Sequence, residues 1–487
     1  MKSLPKCIAA LFMVAVIGFG FSNFVLAEPY QNYVYSSDGK ANAEPQAYLP
    51  KEKITGASLG IGDFKQPKNI YVSSHNDIYI VDTGNNRLVV LDENYKLERV
   101  IKEFKNNGVK DSFNSPQAVF CTDEAIYVAD TGNARIVIMN YGLEVIHIFE
   151  RPESTLISDE FEYRPINLAV DTAGRIFVVS ENVNQGIIEL TPDGEFVSFL
   201  GAVKVKQTVL QALWRTVATK EQKEKMELYL PTQYASIDID QSGFLYGTVS
   251  DISEDNFSEE MFITRLNPMG KDVLKRNGFQ SPMGDIELRV DESSLEKSYS
   301  ALVDIAVRDK GVYSVLDQKM GRIFTYDSTG TLMYVFGALG ENFGQFGVPQ
   351  ALDTIGEQAL VVDSGYNWVL CFEPTEYGKI INEAVYSFSE RDYERTDELW
   401  AEALKYTAKS NLAYDGIGRS MLKSGDYESA MTYLRAANDR TNYSNSFEQF
   451  RASVLEENFS LIVIFSAVLL GILIVCLTIK KIRKGRK

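Results

Sequence analysis

Histidine is nearly absent from this chain. The only two in 487 residues, His75 and His147, cannot build a three-histidine zinc site. Cysteine is almost as scarce. Cys7 and Cys476 fall in apolar stretches near the ends, so residues 28–459 keep only Cys121 and Cys371, each in a strand-like apolar run of a different segment. Two buried thiols make no disulfide framework, and stability must come from packing. Positive charge is also short: Lys and Arg number 49 against 66 Asp and Glu, for a net −17. Without the +2 and +6 of the two end segments, residues 28–459 carry −25. Phosphate-backbone binding needs a basic footprint, so nucleic acid is excluded as the expected partner. GxSxG, HExxH and phosphate-loop motifs are missing too.

The ends read as membrane traffic. Residues 1–27 place Lys2 and Lys6 before a long apolar run, with Val25 and Ala27 at small-residue positions before Glu28, as in a cleaved secretory signal. Cys7 precedes that run instead of following it, and no lipid anchor is expected. Residues 460–479 are uncharged, long enough to cross a bilayer of about 30 Å, and the tail 480–487 has six basic residues. The expectation is a single-pass type I membrane protein with residues 28–459 outside the cytoplasm.

What is abundant is repetition. IYIVDTGNNRLVVLD, from Ile78, returns as IYVADTGNARIVIMN, from Ile126. Six such segments, about 40 to 50 residues each, begin near 69, 118, 166, 234, 302 and 348, every one a series of short alternating apolar runs between Gly, Asn, Asp and Pro turns. Four strands per repeat describe propeller blades, and the predicted fold is mainly β: a six-bladed β-propeller over 28–388. NYVYSSDG, Asn32 to Gly39, is expected to add a strand beside the last blade and clasp the ring, and blade six is expected to continue towards Phe388. At the turns, Gly84 and Gly132 are read as supplying positive φ, tolerated also by Asn85 and Asn133. Asp82 and Arg87, and Asp130 and Arg135, face each other across those turns. Asp317, Arg322, Asp363 and Gly365 hold the corresponding places in blades five and six. A turn needed in every blade serves the blade first.

DTGNNR and DTGNAR, with the approach GALGENFGQFGVPQALD (Gly337 to Asp353), resemble NHL repeats over roughly residues 60–385, most clearly in blades one, two, five and six. The resemblance implies the fold more firmly than an activity, since related propellers include lyases, lactonases, RNA-binding modules and scaffolds. NHL-type amidating lyases and streptogramin lyases depend on histidine chemistry, which this chain lacks. Lactonase-type propellers use carboxylates and Asn around a central metal, and no spacing here singles out such a set.

Departures from the repeat fall after fourth strands (151–163, 201–233, 277–300) and between strands two and three of blade four (251–260). In a propeller these loops share one face, the candidate binding surface. Residues 201–233 carry apolar residues at a helical period, and Trp214 and Tyr229 there either pack the helix down or line a pocket. Residues 251–260, with Asp251, Glu254 and Asp255, offer oxygens to Ca2+ or another divalent cation, or are a solvated acidic loop, since the spacing matches no calcium motif. Residues 389–459 turn helical. Tyr414, Ile417, Gly418, Met421, Ala430, Leu434 and Ala437 resemble one tetratricopeptide repeat, with Trp400 and Ala403 placed 34 residues before Leu434 and Ala437. This TPR-like module is either a peptide groove or a stalk.

The arrangement resembles bacterial membrane-anchored NHL proteins associated with sugar ABC transporters. Two interaction folds and no recognisable chemistry favour a non-enzymatic binding or scaffold protein, and the resemblance implies an ABC transporter subunit as its protein partner; the alternative is a metal-dependent hydrolase or lactonase with its site in the central channel.

Overall fold

The computed structural model describes residues 29–36, 39–154, 162–183, 185–201, 233–250, 252, 262–276, 282–285, 288–290 and 297–484. The repeats form a ring of six sheets. Blade one runs Asn69–Val72, Ile78–Asp82, Arg87–Leu91 and Leu97–Ile101, each strand antiparallel to the next. Blades two, three and five repeat this order from Ala118, Pro165 and Leu302. Blade four has three strands (Tyr234–Ile239, Leu245–Val249, Ile263–Leu266), and a bridge from Leu266 to Asp272 stands where a fourth would run. The middle strands of blade one are buried along their whole length, because neighbouring blades cover both faces.

The ring closes differently from the expectation. Tyr48–Thr55, not Asn32–Gly39, is the fourth strand of blade six, pairing antiparallel with Trp368–Pro374. Its burial explains why it was missed: of YLPKEKIT only Tyr48 and Ile54 are buried, because an outer edge strand exposes most of its side chains, and Pro50 is tolerated there. Asn32–Tyr35 instead forms a hairpin with Ala41–Glu44, and Asn32 Oδ1 accepts the Val335 N–H of blade five.

Blade six also ends early. After Pro374 the chain turns into helix α1 (Glu376–Ser389), so the stretch towards Phe388 is helix, not strand, and helical structure begins inside the 28–388 propeller range. Then follow α2 (Tyr393–Tyr406), α3 (Asn411–Ser424), α4 (Tyr427–Ala436), α5 (Arg440–Glu457) and α6 (Phe459–Lys484). Thr375, Asp392, Ser410, Asp426 and Asp439 each accept a backbone N–H of the first turn of α1 to α5, satisfying donors a helix start leaves free. Gly416 and Gly418 let helices touch: a Cβ on Gly416 would sit 2.3 Å from the Trp400 ring, and one on Gly418 2.5 Å from Leu434.

The helices lean on the ring. One apolar core joins Leu316, Tyr334 and Phe372 of blades five and six to Tyr377, Trp400, Leu412 and Ile417. Arg419 of α3 reaches Asp327 at 3.1 Å, on the turn between strands three and four of blade five. In α6, Phe459–Lys481 is long and apolar enough to cross a membrane, and none of it is buried against the protein. The predicted segments 1–27 and 485–487 lie outside the described residues.

Candidate functional site: the central channel

In each blade the first strand stands innermost, with one edge unpaired and turned to the ring axis. Free N–H groups on such an edge need acceptors. Polar side chains of neighbouring blades supply them. Asn69 of blade one accepts Val119 N–H of blade two at 3.2 Å, and Asp304 of blade five accepts Leu352 N–H of blade six at 2.7 Å. One layer further along, Asp238 of blade four accepts Val307 N–H of blade five at 2.7 Å, and Asp353 of blade six accepts Val72 N–H of blade one at 2.6 Å. The first layer continues sideways: Asn167 donates to Ser236 at 2.9 Å, and Ser236 to Asp304 at 2.5 Å. The channel cavity is about 160 Å³, and Tyr71 and Phe120 line it together with Asp238, Asp304 and Asp353.

Burial governs the acids. It pushes the Asp304 carboxyl up to about 7, against the downward pull of its Ser236 and Leu352 bonds, and Asp238 up to about 6. Asp353 is raised well above the usual carboxylate range, again chiefly by burial, with Asp238 adding repulsion. Among the described residues no three His, Cys, Asp or Glu side chains converge on a point where a metal could be held. With carboxylate oxygens turned to backbone N–H donors, these residues do not fit the central metal that a lactonase-like reading requires.

The sequence did not single out this set. The signal was a polar residue inside an otherwise apolar innermost strand, as in IDI or LVDIAV, and it becomes visible only once the blades are aligned on strand one.

The repeat turns have their own geometry. Arg87 Nε donates to Asp82 at 2.6 Å and Arg135 Nε to Asp130 at 2.8 Å. Asp82 also accepts the N–H of Lys65, Asp130 that of Asn114, Asp317 that of Ala301, and Asp363 those of Gly347 and Val348. In every case the donor lies in the segment entering that blade. The glycine argument needs correction. Gly84 and Gly132 do not take positive φ; Asn86 and Ala134 do, at 51° and 52°. Gly84 and Gly132 are required by close approach, since a Cβ would lie 2.7 Å from the Lys65 carbonyl oxygen or 2.6 Å from that of Asn114. Gly365 is crowded likewise, 2.7 Å from the Val348 nitrogen. Arg322 turns from Asp317 to Asp285, at 3.1 Å.

Trp214, Tyr229, Asp251, Glu254 and Asp255 lie outside the described residues. His75 sits in the turn between strands one and two of blade one, and His147 in the fourth strand of blade two, its ring 5.6 Å from that of Phe149. They stand in different blades.

No known protein family matches this chain, and no curated protein does. Solved structures resemble it in part. Virginiamycin B lyase from Staphylococcus aureus is 11% identical, with a TM-score of 0.41 over 67% of this chain and 99% of that one. A protein of unknown function from Bacteroides thetaiotaomicron is also 11% identical, with a TM-score of 0.41 over 71% and 76%.

Proposed function

We propose that this chain is a membrane-anchored, extracytoplasmic NHL-type propeller that binds a partner and performs no chemistry, the partner being a membrane transporter subunit of the ABC class. The observation that carries the reading is the use made of the channel: Asp238, Asp304 and Asp353 hold neighbouring blades together through backbone N–H groups. Such a channel serves ring closure, and function passes to the faces. Antiparallel order puts the loops between strands two and three, and those between blades, on one face; α1 leaves from the other, after strand three of blade six. The helices therefore stand on the second face, which supports a reading in which the membrane lies on that side and a partner meets the other. The rival hydrolase reading requires a bound metal and channel carboxylates free to ligate it.

Cross-linking in intact cells tests the proposal, comparing the full chain with a version in which 201–233 is replaced by a short linker. Recovery of a transporter subunit by the full chain alone supports it. Tightly bound metal, with hydrolysis lost on Asp304→Asn, would establish the rival.

A further inference from the structure

Beneath blades five and six, between their strand-one-to-two turns and α1, lies an open groove of about 460 Å³. That is a volume suited to a small organic molecule. Arg308 lines it, and its environment is unusual. One terminal nitrogen donates to the Tyr334 hydroxyl at 2.7 Å and the other to the Tyr48 hydroxyl at 3.3 Å, while Nε has no hydrogen-bond partner among the described residues. Tyr334 is held neutral, since burial raises its phenol far above the usual range. No carboxylate among the described residues lies within ion-pair distance of this guanidinium. A half-buried cation whose side-chain partners among the described residues are phenols lacks the counter-charge that normally accompanies it.

The rest of the lining narrows the choice. Lys310 pairs with Glu390, Lys379 with Glu376 at 2.7 Å, and Glu383 with Arg395 at 2.7 Å, so these charges are met within the protein. Asp309 and Glu357 remain, bonded to Gln241 at 3.2 Å and to Asn382 at 3.1 Å. Two carboxylates on the wall would repel a doubly charged phosphate. They would accept hydrogen bonds from hydroxyls. Each terminal nitrogen of Arg308 keeps a second N–H beyond its phenol bond, and two such donors side by side match the two oxygens of one carboxylate. The geometry points to a binding site for a small hydroxylated monocarboxylate, its carboxylate on Arg308 and its hydroxyls on Asp309 and Glu357. The site stands on the face opposite the insertions, independent of the partner proposed above.

Gluconate is a suitable probe, with glucose as its uncharged counterpart and inorganic phosphate as the competing anion. Thermal unfolding and titration calorimetry would use the full chain in detergent micelles at constant ionic strength. The expected result is a midpoint rise with gluconate that glucose does not give, abolished in Arg308→Met and weakened in Arg308→Lys. Arg308→Met should fold without loss of midpoint in the absence of probe, since it removes an unbalanced charge; Tyr386→Ala, at the exposed rim, offers a second folded comparison. No rise with gluconate, an equal rise in Arg308→Met, or a larger rise with phosphate would each overturn the assignment.

Discussion

Blades one and five carry the same five-residue spacing from Asp to Arg, Asp82 to Arg87 and Asp317 to Arg322, and use it differently. In blade one the two side chains pair, and Arg87 goes on to the Ile61, Gly62 and Asp63 carbonyls. In blade five the strands place Asp317 opposite Arg322, yet the guanidinium goes to Asp285. The common element is the segment that enters the blade: 61–65 in the first case, 285 and 301 in the second. In the blades that carry them, the repeated Asp and Arg staple the blade to its own approach, and their mutual ion pair is optional.

Substitutions at the paired positions sharpen that difference. Asp82→Asn leaves Arg87, whose side chain is 5% exposed, beside a neutral partner, and should cost about 3–5 kcal/mol. Asp317→Asn, where burial already raises the carboxyl and no cation among the described residues pairs with it, should cost less than about 1 kcal/mol. Denaturant midpoints of the two variants side by side provide the check, and equal losses would refute the distinction.

The next effect concerns pH. Asp304 has a folded value of about 7 against an ordinary 3.8, so the folded state keeps a proton that the unfolded chain releases. Its contribution is complete below pH 4 and is lost as pH rises through 7, at about 1.4 kcal/mol per unit for one group. Stability measured from pH 4 to 8 should fall, and Asp304→Asn should flatten part of the slope; a slope unchanged in the variant would sink this account. Smaller again is Gly84→Ala, whose new Cβ meets the Lys65 carbonyl, with an expected loss of about 1–3 kcal/mol. Arg322→Ala ranks with Asp317→Asn at the low end. Its side chain is 28% exposed and Asp285 keeps its bond from Tyr33, so about 1 kcal/mol is expected, well below the loss from Arg87→Ala.

Much of the ring was legible because period-two apolar runs and turn residues are local signals, and blades one, two, five and six repeat them closely. What stayed hidden was non-local. Tyr48–Thr55 looks polar because an edge strand buries so little, and nothing near it in sequence names its partner 300 residues away. The channel acids were hidden for another reason: Asp238 and Asp353 act on blades that are neighbours in space, and a single blade gives no cause to prefer an Asp there. The glycines of the turns were found but misjudged, because φ is a property of one residue whereas crowding by Lys65 or Asn114 belongs to a second segment.

Ring closure by Tyr48–Thr55 also sets a timetable. This strand leaves the ribosome early, and its partner Trp368–Pro374 follows only after five and a half blades. At roughly 5–20 residues per second, the wait is on the order of tens of seconds. Until then blades can form one by one, but the outer strand of blade six has no partner, and its free edges can template wrong pairing. The two lysines and the glutamate of Lys51, Glu52 and Lys53, exposed in the finished ring, keep the waiting strand soluble and poorly suited to such pairing. A segment that looks unremarkable in the mature fold is thus suited to the interval before the fold exists.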